Sequence, residues 1–415
     1  MIRAVAFDWG GVLMRTVDVR PRMAWEQRLG LRPCELDSIV FGSAAWQETQ
    51  YGKSSVDDVW REVAHLLGID RQQAAALSRD FWAGDQLDAE MVALIHELKE
   101  LGLRVALLSN QPRHLPHMLA ELGVDGLFDV TVISAFEGTP KPDPAIYRLL
   151  LDRLGMAAQE VAFVDDLSLN VRAAQALGLC GVRFRGVRHL RRALVAAGVP
   201  VKVPPLAPVS GVRAVIFDWG GVLVPLTFRD HTTAWEKRLG LEAGAMDRVL
   251  WGPAWKQLEI GAISQEDFDD QVAQGLGLPD RAAARQFYQE YYGNDYLVPA
   301  VTAAVEALRG RYQVALLSNA FPGHAEMARD RFGYDPRVEF DLYVNSAQVG
   351  LAKPDPAIYH LTLERLGVRP GEAVFVDDML RNVDAAQMLG IRSLVFADAP
   401  TGLEDLSTLL GHPIG

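Results

Sequence analysis

The 415-residue sequence predicts an α/β protein made of two tandem copies of one domain, each a parallel sheet flanked by helices. Three observations predict it. Whole blocks of sequence recur in the same order. Short apolar runs alternate with helical patterns inside each copy. A proline-rich stretch separates the copies.

The duplication comes first. Residues 3–13 read RAVAFDWGGVL and residues 213–223 read RAVIFDWGGVL. AWEQRLGL begins at Ala24 and AWEKRLGL at Ala234. VALLSN starts at Val105 and Val314, KPDPAIY at Lys141 and Lys353, FVDD at Phe163 and Phe375. NVRAAQALG at Asn170 answers NVDAAQMLG at Asn382. The spacing is far too long for a solenoid repeat, so the repeated unit is a domain. Residues 200–211, PVKVPPLAPVSG, show no helical period and read as a semi-extended linker. The expected boundaries are 1–199 for domain one, 200–210 for the linker and 211–415 for domain two.

The elements of copy one follow in order. AVAFDW is a short apolar strand ending in a Gly-Gly turn. A helical block follows, about 15–97 (about 225–306 in copy two), in which AWEQRLGL, VDDVWREVAHLLG and MVALIHELKELG repeat apolar residues at helical spacing. RVALLSN is a second strand, followed by a helix near His117 and Leu122, and DVTVIS is a third strand. DPAIYRLLLDRLG is a helix opened by Asp143 and Pro144 and stopped by Gly155. VAFVDD is a fourth strand, NVRAAQALG a helix and GVRFR a fifth strand. This alternation argues for helices on both sheet faces, with the first helical block as an insertion.

Composition limits the function. Hydrophobic residues make up 49% and charged residues 23%, an ordinary globular balance. Asp plus Glu outnumber Lys plus Arg, 53 to 41, for a formal charge of −12. Without a basic stripe, nucleic acid is a poor partner. No run approaches the ~18 apolar residues of a membrane span. The start, MIRAVAFDWGG, lacks the order of a secretory signal, so a cytoplasmic location is expected. Cys34 and Cys180 stand in no metal or disulfide spacing.

Ligands of open α/β sheets bind at the carboxyl ends of the strands. In copy one those ends carry Asp8, then Ser109 and Asn110, then Asp165 and Asp166, with Lys141 after the third strand. Copy two offers Asp218, Ser318, Asn319, Lys353, Asp377 and Asp378. Carboxylates crowded into one crevice repel one another, and a divalent cation resolves that repulsion. Carboxylate and water ligands suit Mg²⁺.

The order Asp, Ser, Lys, Asp-Asp, present twice, resembles the haloacid dehalogenase-like (HAD) hydrolase superfamily. The GGVL, KPDPAIY and VDD…NV.AA…G blocks resemble the branch with the phosphatase domain of soluble epoxide hydrolase. The resemblance implies two Rossmann-like HAD domains, the insertion serving as a helical cap that closes over the crevice. It implies a Mg²⁺-dependent phosphatase of a small phosphorylated metabolite, such as a sugar or acyl phosphate. Asp8 and Asp218 would be nucleophiles forming an aspartyl-phosphate. Ser109 and Ser318 would bond a phosphoryl oxygen, and Lys141 and Lys353 would neutralise charge. Asn110 and Asn319 would contact substrate. The metal ligands would be Asp8, the Gly10 carbonyl, Asp165 and Asp166, with Asp218, Gly220, Asp377 and Asp378 in copy two.

One departure matters. Phosphatases of this family carry a second Asp two residues after the nucleophile, as proton donor. Here Gly10 and Gly220 occupy that position. Losing a general acid costs ~10²–10⁴ in rate, least for good leaving groups. The doubled glycine therefore leaves an alternative, a catalytically weak or inactive HAD scaffold with a binding or regulatory role. Carbon–halogen hydrolysis is disfavoured by the Asp-Asp pair and by the absence of the Tyr of the dehalogenase motif. His114 and His324, shortly after the motif serines, are candidate replacements for the acid, although a helix start explains them as well. Trp9 and Trp219 read as packing residues, and Asn170 and Asn382 as braces of the loop after the fourth strand. The two copies are also expected to pair as an intramolecular pseudo-dimer.

Overall fold

The computed structural model describes residues 1–32, 34–227, 231–242 and 244–414. The chain divides into two compact units, Met1–Pro204 and Pro205–Gly415. In unit one the strands are β1 (Ala4–Phe7), β2 (Met14–Thr16), β3 (Asp85–Leu87), β4 (Arg104–Ser109), β5 (Val130–Ile133), β6 (Val161–Asp165) and β7 (Cys180–Arg183). In unit two they are β8 (Ala214–Phe217), β9 (Gln313–Ser318), β10 (Leu342–Asn345), β11 (Ala373–Asp377) and β12 (Arg392–Val395).

Each unit holds one five-stranded sheet. The order is β5-β4-β1-β6-β7 in unit one and β10-β9-β8-β11-β12 in unit two. All pairs within these sheets are parallel, with Phe7 in register with both Leu107 and Val164. The same register joins Phe217 to Leu316 and Val376. These are the two parallel sheets that the duplication and the alternation predict. The central strands are buried on both faces, which is why AVAF, VALL and VAFV are unbroken apolar runs. One face of the unit-one sheet packs Phe163 and Ala106 against Ile146, Tyr147 and Leu150 of the helix Pro144–Leu154. Phe375 and Ala315 meet Ile358, Tyr359 and Leu363 in the same way.

The segment after β1 forms five helices, Arg20–Leu29, Glu35–Gly42, Ala44–Gln50, Val56–Leu67 and Arg71–Trp82. They enclose a core of their own, built on Trp25, Leu36, Val40, Trp60, Leu77 and Phe81. Ser55 and Asp70 open the last two helices with reciprocal capping boxes. The antiparallel pair β2–β3 closes the base of this insertion. In unit two the corresponding core is built on Met246, Leu258, Phe268, Val272 and Phe287.

Glu26 is buried in the first of these helices and accepts the Leu36 N–H at 3.1 Å. Burial pushes its carboxyl up to about 7, against the pull of the Leu36 and Cys34 backbone bonds. The raised value means that the folded state favours the protonated acid. The stability it lends is complete below pH ~4.5 and fades as the pH rises toward 7. Glu26→Gln should therefore melt higher than wild type at pH 8, by about 1–2 kcal/mol, and show no gain at pH 4.5. Equal melting shifts at both pH values would count against this.

Candidate active site

Parallel pairing sets the carboxyl ends of β4, β1 and β6 side by side, and that alone gathers the polar residues. Asp8 follows β1, Ser109 ends β4 and Asp165 ends β6. The Lys141 ammonium, fully enclosed, lies 2.9 Å from Asp8 Oδ2 and 2.6 Å from Asp165 Oδ2. Ser109 Oγ donates to Asp8 Oδ1 at 2.6 Å, and the Trp9 N–H reaches the same oxygen at 2.7 Å. Unit two repeats the lysine bridge, while among the described residues no hydrogen bond joins Ser318 to Asp218. Lys353 Nζ lies 2.7 Å from Asp218 Oδ1 and 2.7 Å from Asp377 Oδ2, and also donates to the Leu317 carbonyl at 2.9 Å.

Asn110 and Asn319 are brought to the site in a different posture from the one expected. Asn110 Nδ2 donates to the Lys141 carbonyl at 2.9 Å, and Asn110 Oδ1 accepts the Lys141 N–H at 2.7 Å. Asn319 grips the Lys353 peptide with both bonds at 2.8 Å. Each amide thus fixes the backbone that carries the lysine. Asn170 and Asn382 act on the carboxylate side. Asn170 Nδ2 donates to both oxygens of Asp165 at 3.1 Å, and the Leu167 N–H adds a bond at 2.9 Å. Asn382 and the Met379 N–H treat Asp377 the same way. Asp165 and Asp377 are therefore saturated with donors from the chain itself.

Asp166 and Asp378 complete the clusters. In each unit one oxygen from each of the three carboxylates lies within 4.8 Å of the others. Three carboxylates against one ammonium leave two negative charges when all are ionised. The strain shows in the acids. Burial, and then the charges of Asp165 and Asp8, push Asp166 up to about 7. Burial, with Asp377 and Asp378 adding to it against Lys353, pushes Asp218 up to about 8. Burial pulls the Lys141 ammonium down, but Asp8 and Asp165 outweigh it and hold the group above its ordinary value. An all-oxygen donor set with two excess charges fits a hard divalent cation such as Mg²⁺.

The Gly-Gly turn has two different tasks. Gly11 and Gly221 sit at φ +77° and +76°, in the left-handed region. A β-carbon on Gly11 would lie 2.5 Å from Asp166 Oδ2, and one on Gly221 would lie 2.4 Å from Asp378 Cγ. Those glycines make room for the third carboxylate, a need that the sequence does not announce. Gly10 and Gly220 are open by comparison, the nearest atoms lying at 3.7 and 3.6 Å.

Among the described residues, neither His114 nor His324 hydrogen-bonds a carboxylate of the clusters. His324 is buried, its Nδ1 2.8 Å from Tyr343 Oη and its ring edge-on to Trp219 with centroids 4.8 Å apart. Burial pulls it down to about 4. His114 is exposed at the N-terminal end of the helix Leu115–Glu121, and its side chain makes no capping hydrogen bond.

The model of the haloacid dehalogenase-like hydrolases matches residues 2–178 and again residues 212–390. The chain belongs to the haloacid dehalogenase-like hydrolase family. This HAD-like hydrolase is 33% identical over 183 residues to a sesquiterpene phosphatase of Aspergillus oryzae, a match covering 44% of this chain and 89% of that protein. It is 30% identical over 188 residues to the phosphoglycolate phosphatase of Yersinia pestis, covering 43% of this chain and 78% of the relative. It is 25% identical over 218 residues to bifunctional epoxide hydrolase 2 of Sus scrofa, covering 48% of this chain but only 39% of that protein. Among solved structures, a HAD family enzyme from Bacteroides thetaiotaomicron in its magnesium complex matches 45% of this HAD-like hydrolase and 93% of its own chain, at 25% identity and a TM-score of 0.38. Among the described residues no helix is long and apolar enough to cross a membrane.

Proposed function

We propose that each unit is a Mg²⁺-dependent phosphatase acting on a small phosphorylated metabolite through an aspartyl-phosphate. The observation that carries this reading is the pairing of Asp8 with the enclosed Lys141, and of Asp218 with Lys353, beside two further carboxylates. Two relatives being phosphatases supports it.

In the first step an Asp8 oxygen attacks phosphorus, the bond from phosphorus to the ester oxygen breaks, and the alcohol leaves with a proton from water. In the second, water attacks the aspartyl-phosphate, releasing phosphate and restoring the carboxylate. Lys141 lies against Asp8 and faces the charge of the transferring group. Ser109, now bonded to Asp8, turns its hydroxyl to a phosphoryl oxygen. Asn110 holds Lys141 in place, and Asn170 holds Asp165. Asp8, Asp166 and the Gly10 carbonyl would hold Mg²⁺, which would supply positive charge where two anions meet. Asp165, already bonded by chain donors, holds the Lys141 ammonium beside Asp8. Unit two uses Asp218, Ser318, Lys353, Asn319, Asn382, Gly220, Asp377 and Asp378 in the same roles.

The test is phosphate release from p-nitrophenyl phosphate and from sugar and acyl phosphates, with Mg²⁺ and with EDTA. Mg²⁺-dependent release is expected. Folded protein that binds Mg²⁺ and hydrolyses none of them would turn the reading toward a binding scaffold.

Gly10 and Gly220 place no carboxyl at the family's proton-donor position, so activity should favour good leaving groups. Gly10→Asp places a carboxyl in the open space beside Gln111, at a backbone conformation outside the left-handed region. In a chain whose second site is silenced it should raise kcat on alkyl phosphates by ~10²-fold and change acyl phosphate hydrolysis far less. Equal gains on both esters, or none, would argue against this account of the glycine.

A further inference from the structure

The two copies share their phosphoryl-facing residues but differ where a leaving group would emerge. On the phosphatase reading, we infer that site two takes phosphate esters with an apolar leaving group and site one takes those with a polar one.

The difference is built into the positions around the open glycines. At Gly10 the nearest side-chain atom to a β-carbon would be the Gln111 amide nitrogen, at 3.7 Å. At Gly220 it would be a methyl of Leu226, at 3.6 Å. The loop after β4 runs Asn110, Gln111, Pro112, Arg113, whereas the loop after β9 runs Asn319, Ala320, Phe321, Pro322. The Arg113 guanidinium of the loop after β4 lies 3.0 Å from where a side chain on Gly52 would begin and 5.5 Å over the Phe136 ring.

Copy two replaces these groups with carbon. Leu226 and Phe321 are half-buried and pack against the helical cluster of Phe268 and Phe287. The residue of copy one in line with Leu226 is Thr16. Its hydroxyl donates to Asp85 at 2.6 Å and accepts from Arg22 at 2.9 Å. A hydrocarbon leaving group set against Leu226 and Phe321 leaves water at a gain, while a polyol there would lose hydrogen bonds with nothing to replace them. At site one the Gln111 amide offers a donor to a polyol or a carboxylate, and a hydrocarbon would strip it of water.

The experiment uses the full chain with one nucleophile removed at a time. Asp8→Asn leaves site two, Asp218→Asn leaves site one, and melting curves confirm that both are folded. Each is assayed with Mg²⁺ for kcat/KM on n-octyl phosphate and on glycerol 3-phosphate. The octyl-to-glycerol ratio is expected to be at least about tenfold higher at site two than at site one. Leu226→Thr in the Asp8→Asn chain is expected to cut that ratio at least about fivefold. A smaller difference between the sites, with phosphate still released, overturns the selectivity and leaves the phosphatase reading standing. Absence of release from either chain removes the phosphatase reading. Calorimetry then decides the selectivity: n-octyl phosphonate with Mg²⁺ binds wild type, and Leu226→Asp weakens it at least about tenfold if the site is apolar. Binding indifferent to Leu226→Asp overturns it.

Discussion

Asp8→Asn combined with Asp218→Asn should abolish phosphate release, a loss of at least ~10³-fold in kcat, while each single substitution removes only the share of its own site. An amide oxygen is too weak a nucleophile to form the acyl-phosphate, yet it occupies the same volume. Lys141 keeps its 2.6 Å contact with Asp165, and Lys353 its 2.7 Å contact with Asp377, so the fold is expected to survive. Initial rates under saturating Mg²⁺, paired with melting curves, check this. A double variant that is folded and keeps a tenth of the wild-type rate would remove both aspartates from the mechanism.

The second large effect concerns stability. Lys353→Met should lower the melting temperature of unit two by about 10 °C and silence its site. The ammonium is enclosed and touches Asp218, Asp377 and the Leu317 carbonyl within 2.9 Å. Methionine fills much of the volume but leaves buried carboxylates facing one another, a loss of about 3–5 kcal/mol. Mg²⁺ that binds the folded state between those carboxylates should recover part of the loss. The variant should therefore gain more in melting temperature from Mg²⁺ over EDTA than wild type does. A variant that melts with wild type, or one that Mg²⁺ does not help, would show that the lysine is not the counter-charge described. Lys141→Met is the matching change in unit one.

Much of this was legible in the sequence because buried parallel strands are unbroken apolar runs. AVAF, VALLS and VAFVD announce themselves, and the repeat confirms each by a second appearance. The strands β2 and β3 do not. They are three residues each, widely separated along the chain, and MRT and DQL carry no alternation to read. The convergence of Asp8, Ser109, Lys141, Asp165 and Asp166 follows from strand order. What each does locally depends on distances that residue type does not encode. Asn110 at a strand end looks like a substrate contact, and its partner turns out to be the Lys141 peptide. Asp165 and Asp166 look interchangeable, but chain donors saturate Asp165. Nor does a glycine two residues past Asp8 or Asp218 say whether Gln111 or Leu226 will face it.

The paired glycines of the turn also bear on how such a protein can change its chemistry over time. Gly11 is fixed by space, because Asp166 occupies the only volume its side chain could take, and Gly221 is fixed likewise by Asp378. Gly10 and Gly220 are under no such constraint. A point mutation at the first glycine can add or remove a carboxyl without touching the carboxylate cluster. A mutation at the second disrupts that cluster outright. With the turn present twice in one chain, one copy is free to explore the first kind of change while the other keeps working, which is a route by which a duplicated enzyme acquires a second substrate without passing through an inactive form.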